Sequence, residues 1–590
     1  MNAIYSKLSR LAWTVRYLKA RQIRGQLRHR VLRSFGRDEH ADGQAVTECP
    51  GCVWPRDVCF LTPGIQENRA DMIHSGILRF LNCEQSVGFP PRWDCPELPK
   101  LWQYNLHYFE WLWALEYDDA RSVVLHWIEN HPLAKGAVGW DPYPVSLRLM
   151  NWCAIFWGRF RGRLEADREF LDRLWSSVAR QTNWLTRRLE THLLGNHYLE
   201  NGAALAFIGS CFRGEQARRW FAKGYAILRE QIPEQILPDG MHFERSPMYH
   251  CRVAYVLGML MATGNKHLKQ LAGQPLERML VALRVLCHPD GQIALLNDSA
   301  FGICNDPEDL HSFCGEVTDA SLQSQTGGCF ALPDAGYYGW KDREGDYVVC
   351  DFGKIGPEYM CGHAHADLFN FELSLRGHRV IVDAGVHDYA ISEPRRYCRS
   401  TAAHNTVEVD GQDQCEMWGA FRVARRGHPH GVWFRPSRGG FDMGGWHDAY
   451  RRLRGRPIHH RRIRWTISHG LAVQDWITAS RVVHAVSRVH LHPRCSIINR
   501  SDQAITVAFL GGTFQIVAAD SGSLSLETGW YCSEFGRRHP GNTVCVSGRG
   551  SNIELGYRVI CLANNAMGQL EKAHTTLGML RLPEVAHTLR

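Results

Sequence analysis

Apolar residues recur at intervals of three and four between about residues 100 and 290, which is the spacing of amphipathic helices. The segments 101–113, 146–152 and 170–175 show it most clearly. Comparable stretches of 12 to 20 residues follow one another without an intervening strand pattern. The pattern therefore predicts a multi-helix domain, with helical hairpins arranged in a ring.

The apolar period changes from near 3.6 to two after Gly327 and Gly328. Alternating or β-branched runs then lie between glycine-rich turns, at 346–352, 369–375, 463–468, 471–477, 483–491 and 505–510. Many short strands at such spacing are typical of a large antiparallel sandwich. We therefore expect an α+β multidomain chain with a basic or capping segment over 1–95, a helical domain over 96–330 and a β-sandwich over 331–590.

Composition narrows the class of protein. A chain of 590 residues is longer than one hydrophobic core usually organises, and 45% apolar with 22% charged residues is typical of a globular protein. No apolar run approaches the roughly 20 residues that span a bilayer, so no transmembrane segment is expected. The formal charge of +8 favours an anionic partner, although lipid, nucleic acid and acidic polysaccharide all satisfy it. Because no nucleic-acid-binding motif is visible, nucleic acid is not an expected partner. The oligomeric state stays open.

The first residues of the chain are basic and interrupted by charges. They lack the apolar centre and cleavage site of a secretory signal, which predicts a cytoplasmic location, with a periplasmic or membrane-peripheral one as the alternative. The basic amphipathic segment 7–33 suits either peripheral contact with an anionic membrane or a solvated helix packed on one side.

Twenty cysteines are dispersed through core-like segments, which favours reduced, buried thiols. Cys49 and Cys52 form a C-x-x-C pair, the spacing of a zinc knuckle or a redox pair, but no second such pair follows.

Two histidines, His363 and His365, run into the alternating segment 369–375. Imidazoles exchange protons near neutral pH and bind metals, so the pair suits proton transfer or zinc ligation, unless it is simply a surface pair. Further along, Asp383 and His404 stand beside other strand-like segments.

Polar residues upstream stand within helical sequence. Asn196, His197 and Glu200 open one such segment, and Tyr249 follows a proline suited to a helix start. Asn196 is equally suited to capping a helix, and Tyr249 to packing in a core. His197 and Glu200 are close to one helical turn apart, so both can face one cleft.

Five blocks in this order, 195–201, 239–250, 362–374, 380–385 and 400–407, resemble the heparinase II/III-like polysaccharide lyase family. The resemblance covers roughly residues 100 to 410. It implies an α/α toroid followed by an antiparallel β-sandwich. It also implies a lyase that cleaves an anionic, uronate-containing polysaccharide, such as a glycosaminoglycan or alginate-like polymer, by β-elimination.

This chemistry has three tasks: neutralising the uronate carboxylate, removing the C5 proton and protonating the leaving C4 oxygen. The resemblance assigns the first task to Asn196. It assigns proton transfer to Tyr249 and a complementary transfer to His363. Tyr249 could act as a base if a nearby cation lowers its pKa, or as an acid through the neutral phenol. With His197, these are the candidate catalytic residues.

Candidate substrate contacts are Glu200 and, on a polar loop whose simpler role is solvation, Tyr389, Arg395 and Arg396. His365, Asp383 and His404 match positions that hold zinc in some members of the family. Such a zinc would steady the cleft wall. If residues 377–378 form a two-residue turn, His365 lies roughly 23 Å along the strand from the position opposite Asp383. Either the segment 362–367 folds back, or the hairpin is longer and bulged.

Two other functions remain open. Acids such as Glu200, Glu244 and Asp298 could act as the carboxylate pair of a glycoside hydrolase. The same fold could also bind or assemble glycans without turnover. For the lyase, the missing export signal points to synthesis or turnover of a cell-surface polysaccharide, such as an exopolysaccharide.

Overall fold

The structure is a computed structural model that describes residues 2–35, 48–62, 68–133, 136–318, 327–519 and 522–562. Its α-helices within these ranges are α1 (Asn2–Arg16), α2 (Ala20–Phe35), α3 (Ala70–His74), α4 (Lys100–Tyr108), α5 (Tyr117–Asn130), α6 (Pro142–Cys153), α7 (Arg161–Ala166), α8 (Arg168–Arg187), α9 (Gly195–Cys211), α10 (Glu215–Gln235), α11 (Pro247–Ala262), α12 (Lys266–Leu286), α13 (Pro307–Thr318) and α14 (Glu393–Cys398). None of them combines the length and apolar character needed to cross a bilayer.

The helices of the first part form two packed rows. One row contains α4, α6, α9, α11 and α13, each in contact with the next, and the other contains α5, α8, α10 and α12. Because successive long helices alternate between the rows, the chain runs as side-by-side helical hairpins. The helices α9 and α11 are buried almost all round, whereas α8 and α12 bury one face, as their apolar patterns require.

The predicted helix over 101–113 ends early. The helix α4 stops at Tyr108, Phe109 adopts a left-handed conformation with φ 60°, and a 3₁₀ turn follows. Phe109 is fully buried and stacks against Trp93 and Trp111, with ring centroids 5.5 and 5.6 Å apart. Aromatic packing has therefore overridden the helical pattern at this point.

The strands begin with the hairpin β1 (Ile77–Phe80) and β2 (Cys83–Ser86). A five-stranded antiparallel meander follows: β3 (Gly328–Leu332), β4 (Tyr337–Lys341), β5 (Tyr347–Asp351), β6 (Asn370–Leu375) and β7 (His378–Ile381). The remaining strands are β8 (Val407–Val409), β9 (Met417–Trp418), β10 (Arg422–Val423), β11 (Pro429–Ser437), β12 (Gly440–His447), β13 (Ile458–Thr466), β14 (Gly470–His490), β15 (Ser496–Arg500), β16 (Ala504–Phe509), β17 (Gly512–Ala518), β18 (Ser523–Tyr531) and β19 (His539–Leu562).

The large antiparallel sheet has the order β11-β12-β13-β14-β19-β17-β16-β15, with β8 beside β14 and β18 beside β19. Its inner side chains share one core with those of the five-stranded sheet; Val348 and Leu373 of the small sheet meet Ile463, Val473 and Val559 of the large one. The two sheets therefore form a sandwich, and the α+β multidomain class is confirmed.

Two strands predicted separately, 471–477 and 483–491, form the single long strand β14. Its pairing with β19 shifts between Thr478 and Val483, where a β-bulge interrupts the regular register. The interruption in the apolar pattern marks this irregularity and does not end the strand.

The N-terminal helices dock against both parts of the protein. Gln22 Nε2 donates hydrogen bonds to Leu193 O and Tyr359 O, each at 3.3 Å, and so ties α2 to the loop before α9 and to the loop before His363. Gly25 permits this contact, because a Cβ there would lie 2.8 Å from the backbone nitrogen of His192.

Candidate active site

Five predicted residues meet where the helices α9 and α11 face the loops of the β-sandwich. A chain of contacts links them through Glu244: the backbone N–H of Asn196 bonds Glu244, whose Oε2 lies 3.7 Å from His363 Nε2. The centroid of the His363 ring lies 4.0 Å from that of the Tyr249 ring, and the Tyr249 hydroxyl bonds that of Tyr389. We call the following residues the cleft cluster: Asn196, His197, Tyr249, His363 and Tyr389.

Asn196 is the second residue of α9, not its cap. The cap position is Leu194, which makes no side-chain cap bond, and the helix opens at Gly195 with φ +58°. This left-handed φ favours glycine, and a Cβ there would also meet the flexible end of the Met360 side chain, 2.3 Å from its Cε. Within the described ranges the side-chain amide of Asn196 has no hydrogen-bond partner. It is therefore available to a ligand at the positive end of a 17-residue helix.

His197 follows on the same helix and carries a neighbouring carboxylate. Its Nδ1 lies 3.1 Å from Glu190 Oε1, and its ring lies 4.3 Å from that of Tyr143. Burial lowers the pKa of His197, but the charge and hydrogen bond of Glu190 outweigh it, so the pKa is raised. The cationic form of His197 is therefore favoured beside Asn196.

Glu200 lies beneath the cleft surface and has its own partners. It is 1% exposed, accepts a hydrogen bond from the Tyr143 hydroxyl at 2.8 Å and pairs with Arg252 Nη2 at 2.7 Å. These bonds occupy both carboxylate oxygens. The structure therefore favours a role in holding Tyr143 and Arg252 over the predicted contact with substrate.

Tyr249 is held by the start of α11. Pro247 begins this helix, and the Oγ of the capping residue Ser246 accepts the Tyr249 N–H at 3.2 Å. The Tyr249 hydroxyl lies 3.0 Å from that of Tyr389. Burial, followed by the neighbouring Tyr389, raises the pKa of Tyr249 well above its ordinary value. The expected lowering by a cation is therefore wrong, and the resting phenol is neutral.

His363 is oriented by a buried carboxylate. Its Nδ1 lies 2.8 Å from Asp298 Oδ2, while Asp298 Oδ1 lies 2.8 Å from His365 Nε2. Asp298 is fully buried and bonded by both guanidinium nitrogens of Arg395. Burial raises the pKa of Asp298, but Arg395 and the two histidines outweigh it and hold the pKa well below its ordinary value. With Nδ1–H assigned to this anion, His363 presents Nε2 to the cleft.

Glu244, which the sequence suggests only as an acid of a glycoside hydrolase, lies between Asn196 and His363. Its Oε1 accepts the Asn196 N–H at 3.4 Å, and its Oε2 is buried with no hydrogen-bond partner in the described part of the chain. Burial raises the pKa of Glu244, which favours the neutral acid. The adjacent Arg245 has φ 58°, and Asn297, beside Asp298, has φ 56°; such strained backbone is common where a functional site is held in place.

The three predicted sugar contacts of one polar loop, Tyr389, Arg395 and Arg396, lie in different environments. Tyr389 joins the cleft cluster, whereas Arg396 is exposed on α14 and contacts none of its members. The buried guanidinium on α14 belongs to Arg395, whose Nη2 lies 2.8 Å from Asp298. Arg396 therefore stays outside the cluster, and Arg395 orients Asp298.

The three predicted metal ligands do meet. His365, Asp383 and His404 are fully buried, and one potential ligand atom from each lies within 4.8 Å of the others. The segment before β6 folds back, since the His365 N–H donates to Asn297 Oδ1 at 3.0 Å and the Ala366 N–H donates to the Arg399 carbonyl at 3.1 Å.

The donor atoms of this trio fit a metal ion. His365 Nδ1 and His404 Nε2 are buried and have no hydrogen-bond partner among the residues that the structure describes, and His404 Nδ1 lies 2.7 Å from Asp383 Oδ2. The other nitrogen of His365 bonds Asp298, and a metal-binding histidine is commonly held by a carboxylate in this way. Two imidazoles and one carboxylate suit zinc.

The carboxylates proposed for hydrolysis do not form a free pair. The oxygens of Asp298 are bonded by imidazole and guanidinium nitrogens, and those of Glu200 by the Tyr143 hydroxyl and the Arg252 guanidinium. A glycosidase needs one carboxyl group to act as acid and another to act as base or nucleophile beside the sugar. Only Glu244 has an unpaired oxygen among these three acids.

Curated relatives match part of the chain. A heparin-sulfate lyase of Pedobacter heparinus is 28% identical over 333 residues, 51% of this chain and 48% of that protein. Another, from Bacteroides thetaiotaomicron, is 24% identical over 336 residues, 50% of this chain and 48% of that protein. The matched region thus spans about half the length of these two relatives.

Solved structures share the fold over more of the chain. Heparinase III has a TM-score of 0.64 at 16% identity, covering 81% of this chain and 80% of that one. A heparan sulfate lyase from Pedobacter heparinus has a TM-score of 0.57 at 18% identity, covering 87% and 85%. Family models match in two blocks, heparinase II/III N-terminus at residues 109–306 and heparinase II/III-like C-terminal at 324–567. The chain belongs to the heparinase II/III-like family.

Proposed function

We propose that the protein is a lyase that cleaves an acidic, uronate-containing polysaccharide by β-elimination. The observation that carries the proposal is the pairing of two proton-transfer groups, the neutral Tyr249 and the Asp298-oriented His363, with ring centroids 4.0 Å apart. The backbone N–H of Asn196 bonds Glu244 Oε1, and Glu244 Oε2 lies 3.7 Å from His363 Nε2, so the start of α9 lies close to this pair. Together these groups supply the three tasks of the reaction.

Carboxylate neutralisation falls to the start of α9. The Asn196 amide can donate to the uronate carboxylate, the raised pKa of His197 places positive charge beside it, and the helix N-terminus adds a partial positive charge. Stabilising the negative charge that develops on the carboxyl group as the C5 proton leaves lowers the barrier to its removal.

Proton removal falls to His363. Its Nε2 carries the lone pair when Nδ1–H is bonded to Asp298, so Nε2 can take the C5 proton. The anionic Asp298 then stabilises the imidazolium that forms, and Arg395 keeps Asp298 ionised.

Protonation of the leaving oxygen falls to Tyr249. Its raised pKa keeps the phenol protonated, and the proton can pass to the C4 oxygen as the glycosidic bond breaks. The Tyr389 hydroxyl, 3.0 Å away, can donate a hydrogen bond to the phenolate that results. Proton return from His363 to Tyr249 would complete the cycle.

The polymer we propose is a glycosaminoglycan. The formal charge of +8 favours a polyanion, and the two relatives that match along about half of their length are heparin-sulfate lyases. Heparan sulfate is therefore the first polymer to test.

A zinc ion, where bound, would be held by His365, Asp383 and His404 and would supply structural cross-linking of three separated segments. His365 is two residues from His363 in the sequence, so the ion would steady the segment that carries His363. Proton transfer in this proposal uses only His363 and Tyr249.

We also propose a cytoplasmic, membrane-peripheral location and a role in synthesis or turnover of a cell-surface polysaccharide. Residues 1–35 include nine lysines and arginines and no acidic residue. Exposed apolar side chains follow one face of each N-terminal helix: Leu8, Leu11 and Val15 on α1, and Ile23, Leu27 and Val31 on α2. An apolar stripe within basic sequence suits the surface of an anionic membrane.

The test is a screen of the purified protein against heparan sulfate, heparin, chondroitin sulfate and alginate. Elimination creates a double bond conjugated with the carboxyl group, so ultraviolet absorbance should rise with a glycosaminoglycan. New reducing ends without absorbance would favour the hydrolase. Saturable binding without new ends would favour a glycan-binding protein.

A further inference from the structure

The C-x-x-C motif packs against the end of α9 that lies away from the cleft. Cys52 Sγ lies 3.8 Å from the Sγ of Cys211, the last residue of that helix. The Val53 N–H donates to Cys211 O at 2.8 Å, and Cys52 pairs with Phe212 as an isolated β-bridge. The bridge partner of Cys52 is Phe212, the residue after Cys211, so the two segments lie at strand spacing, roughly 5 Å. The short separation of the two sulfurs is the observation that makes a disulfide feasible.

The environments of the two thiols differ as those of an attacking and a resolving cysteine do. Cys52 is partly exposed, and Arg161 Nη2 lies 2.7 Å from its Sγ. The hydrogen bond from Cys211, with further help from Arg161, lowers the pKa of Cys52 to about 7. Cys211 is fully buried, and burial raises its pKa well above the ordinary value. A thiolate at Cys52 therefore stands next to a protonated partner.

We propose that Cys52 and Cys211 form a reversible redox pair that closes to a disulfide when the protein meets a disulfide oxidant. The Cys52 thiolate attacks one sulfur of oxidised glutathione, forming a mixed disulfide and releasing one glutathione thiolate. Cys211 loses its proton and attacks the Cys52 sulfur, which expels the second glutathione. Two electrons thus pass from the two cysteines to one oxidised glutathione.

Two alternatives within the same motif are weaker. Burial raises the pKa of Cys49 to about 11, so it competes poorly as the attacking thiol. A zinc ion would place a second cation at the Cys52 sulfur, which Arg161 already bonds. Across the described residues, the side chains close enough to share a metal ion are those of His365, Asp383 and His404.

The disulfide would join the segment around Cys52 to α9 across 159 positions of sequence. Closing so long a loop restricts the unfolded chain, so the midpoint of thermal unfolding should rise by roughly 5 °C or more. Because the bond sits at the opposite end of the helix from Asn196, about 22 Å away at ~1.5 Å per residue, it would anchor the helix that carries the carboxylate-binding end.

The experiment uses the full chain equilibrated with mixtures of reduced and oxidised glutathione. Free thiols are trapped with N-ethylmaleimide, and the peptides are identified by mass spectrometry. We expect a Cys52–Cys211 cross-link that grows with the oxidised fraction and disappears with dithiothreitol. A Cys49–Cys52 cross-link, a stable glutathione adduct on Cys52, or zinc release on oxidation would each overturn the assignment.

Variants separate the pair from its neighbours. Cys49→Ser should keep the cross-link, and Cys52→Ser should abolish it. Arg161→Gln should slow alkylation of Cys52 by iodoacetamide at pH 7 roughly three- to tenfold, because the thiolate fraction falls. An unchanged alkylation rate would contradict the role of Arg161. Since Cys211 is buried and its replacement risks the fold, trapping of the unaltered protein decides the identity of the partner.

Discussion

Replacing Tyr249 with phenylalanine removes one oxygen from the centre of the proposed mechanism. The hydroxyl makes a single hydrogen bond, to Tyr389 at 3.0 Å, while the ring packs 4.0 Å from His363. Phenylalanine keeps the ring and its packing. The structural cost should therefore be that of one hydrogen bond, about 1 kcal/mol.

The catalytic cost should be larger. Loss of the acid that protonates the leaving oxygen should lower kcat by roughly 10² to 10⁴, equivalent to about 3–5 kcal/mol of barrier. The raised pKa of Tyr249 keeps the wild-type phenol protonated at neutral pH. The phenylalanine variant has no proton to donate at this position, so more acidic conditions should not restore its activity.

The assay is the initial rate of ultraviolet absorbance on heparan sulfate, with thermal unfolding measured in parallel. Tyr389→Phe is the matched control, because it breaks the same hydrogen bond from the other side and leaves the Tyr249 hydroxyl in place. We expect that control to keep kcat within about tenfold. Equal losses in the two variants, or a Tyr249→Phe variant with nearly normal kcat, would refute the assignment of Tyr249 as the acid.

Three further perturbations test the supporting groups. Asp298→Asn should lower the free energy of unfolding by about 3–5 kcal/mol in urea denaturation, because Arg395 loses its buried counter-charge; an unchanged midpoint would argue against the ion pair. Because the pKa of His197 is raised in the folded protein, its positive charge is present below pH ~6.5 and is lost as pH rises through the higher folded value. KM should therefore increase in that range, and His197→Gln should flatten the dependence of KM on pH. Metal analysis of protein purified without chelators should find about one zinc per chain, and His404→Ala should remove it; no metal after zinc supplementation would leave the trio a hydrogen-bonded cluster.

Much of the fold follows from local pattern. A change in apolar period predicts the order of helices and sandwich, because each element must bury one face or both faces. Phe109 shows the limit, since its left-handed backbone depends on packing against Trp93, a residue outside the helical pattern. The strand β14 shows a second limit of prediction from local pattern, because its pairing with β19 continues through a bulge where the apolar pattern is interrupted.

The site was predictable by residue type more than by environment. Asn196 suits a helix cap on sequence grounds, but α9 begins one residue earlier, at Gly195, whose φ of +58° favours glycine. The sign of the Tyr249 pKa shift depends on burial, which the spacing of residues does not encode. Arg395 and Arg396 are neighbours in sequence, and the orientation of α14 decides which of them reaches Asp298.

The central claim is that the bond breaks by elimination, and the fate of solvent oxygen tests it directly. Cleavage of heparan sulfate should be run in water enriched in oxygen-18, with the products analysed by mass spectrometry. Elimination predicts a C4–C5 double bond in the new non-reducing end and no label introduced by bond cleavage, after correction for anomeric exchange in parallel samples. Label incorporated at the cleaved bond, in products without the double bond, would contradict the lyase mechanism and identify hydrolysis.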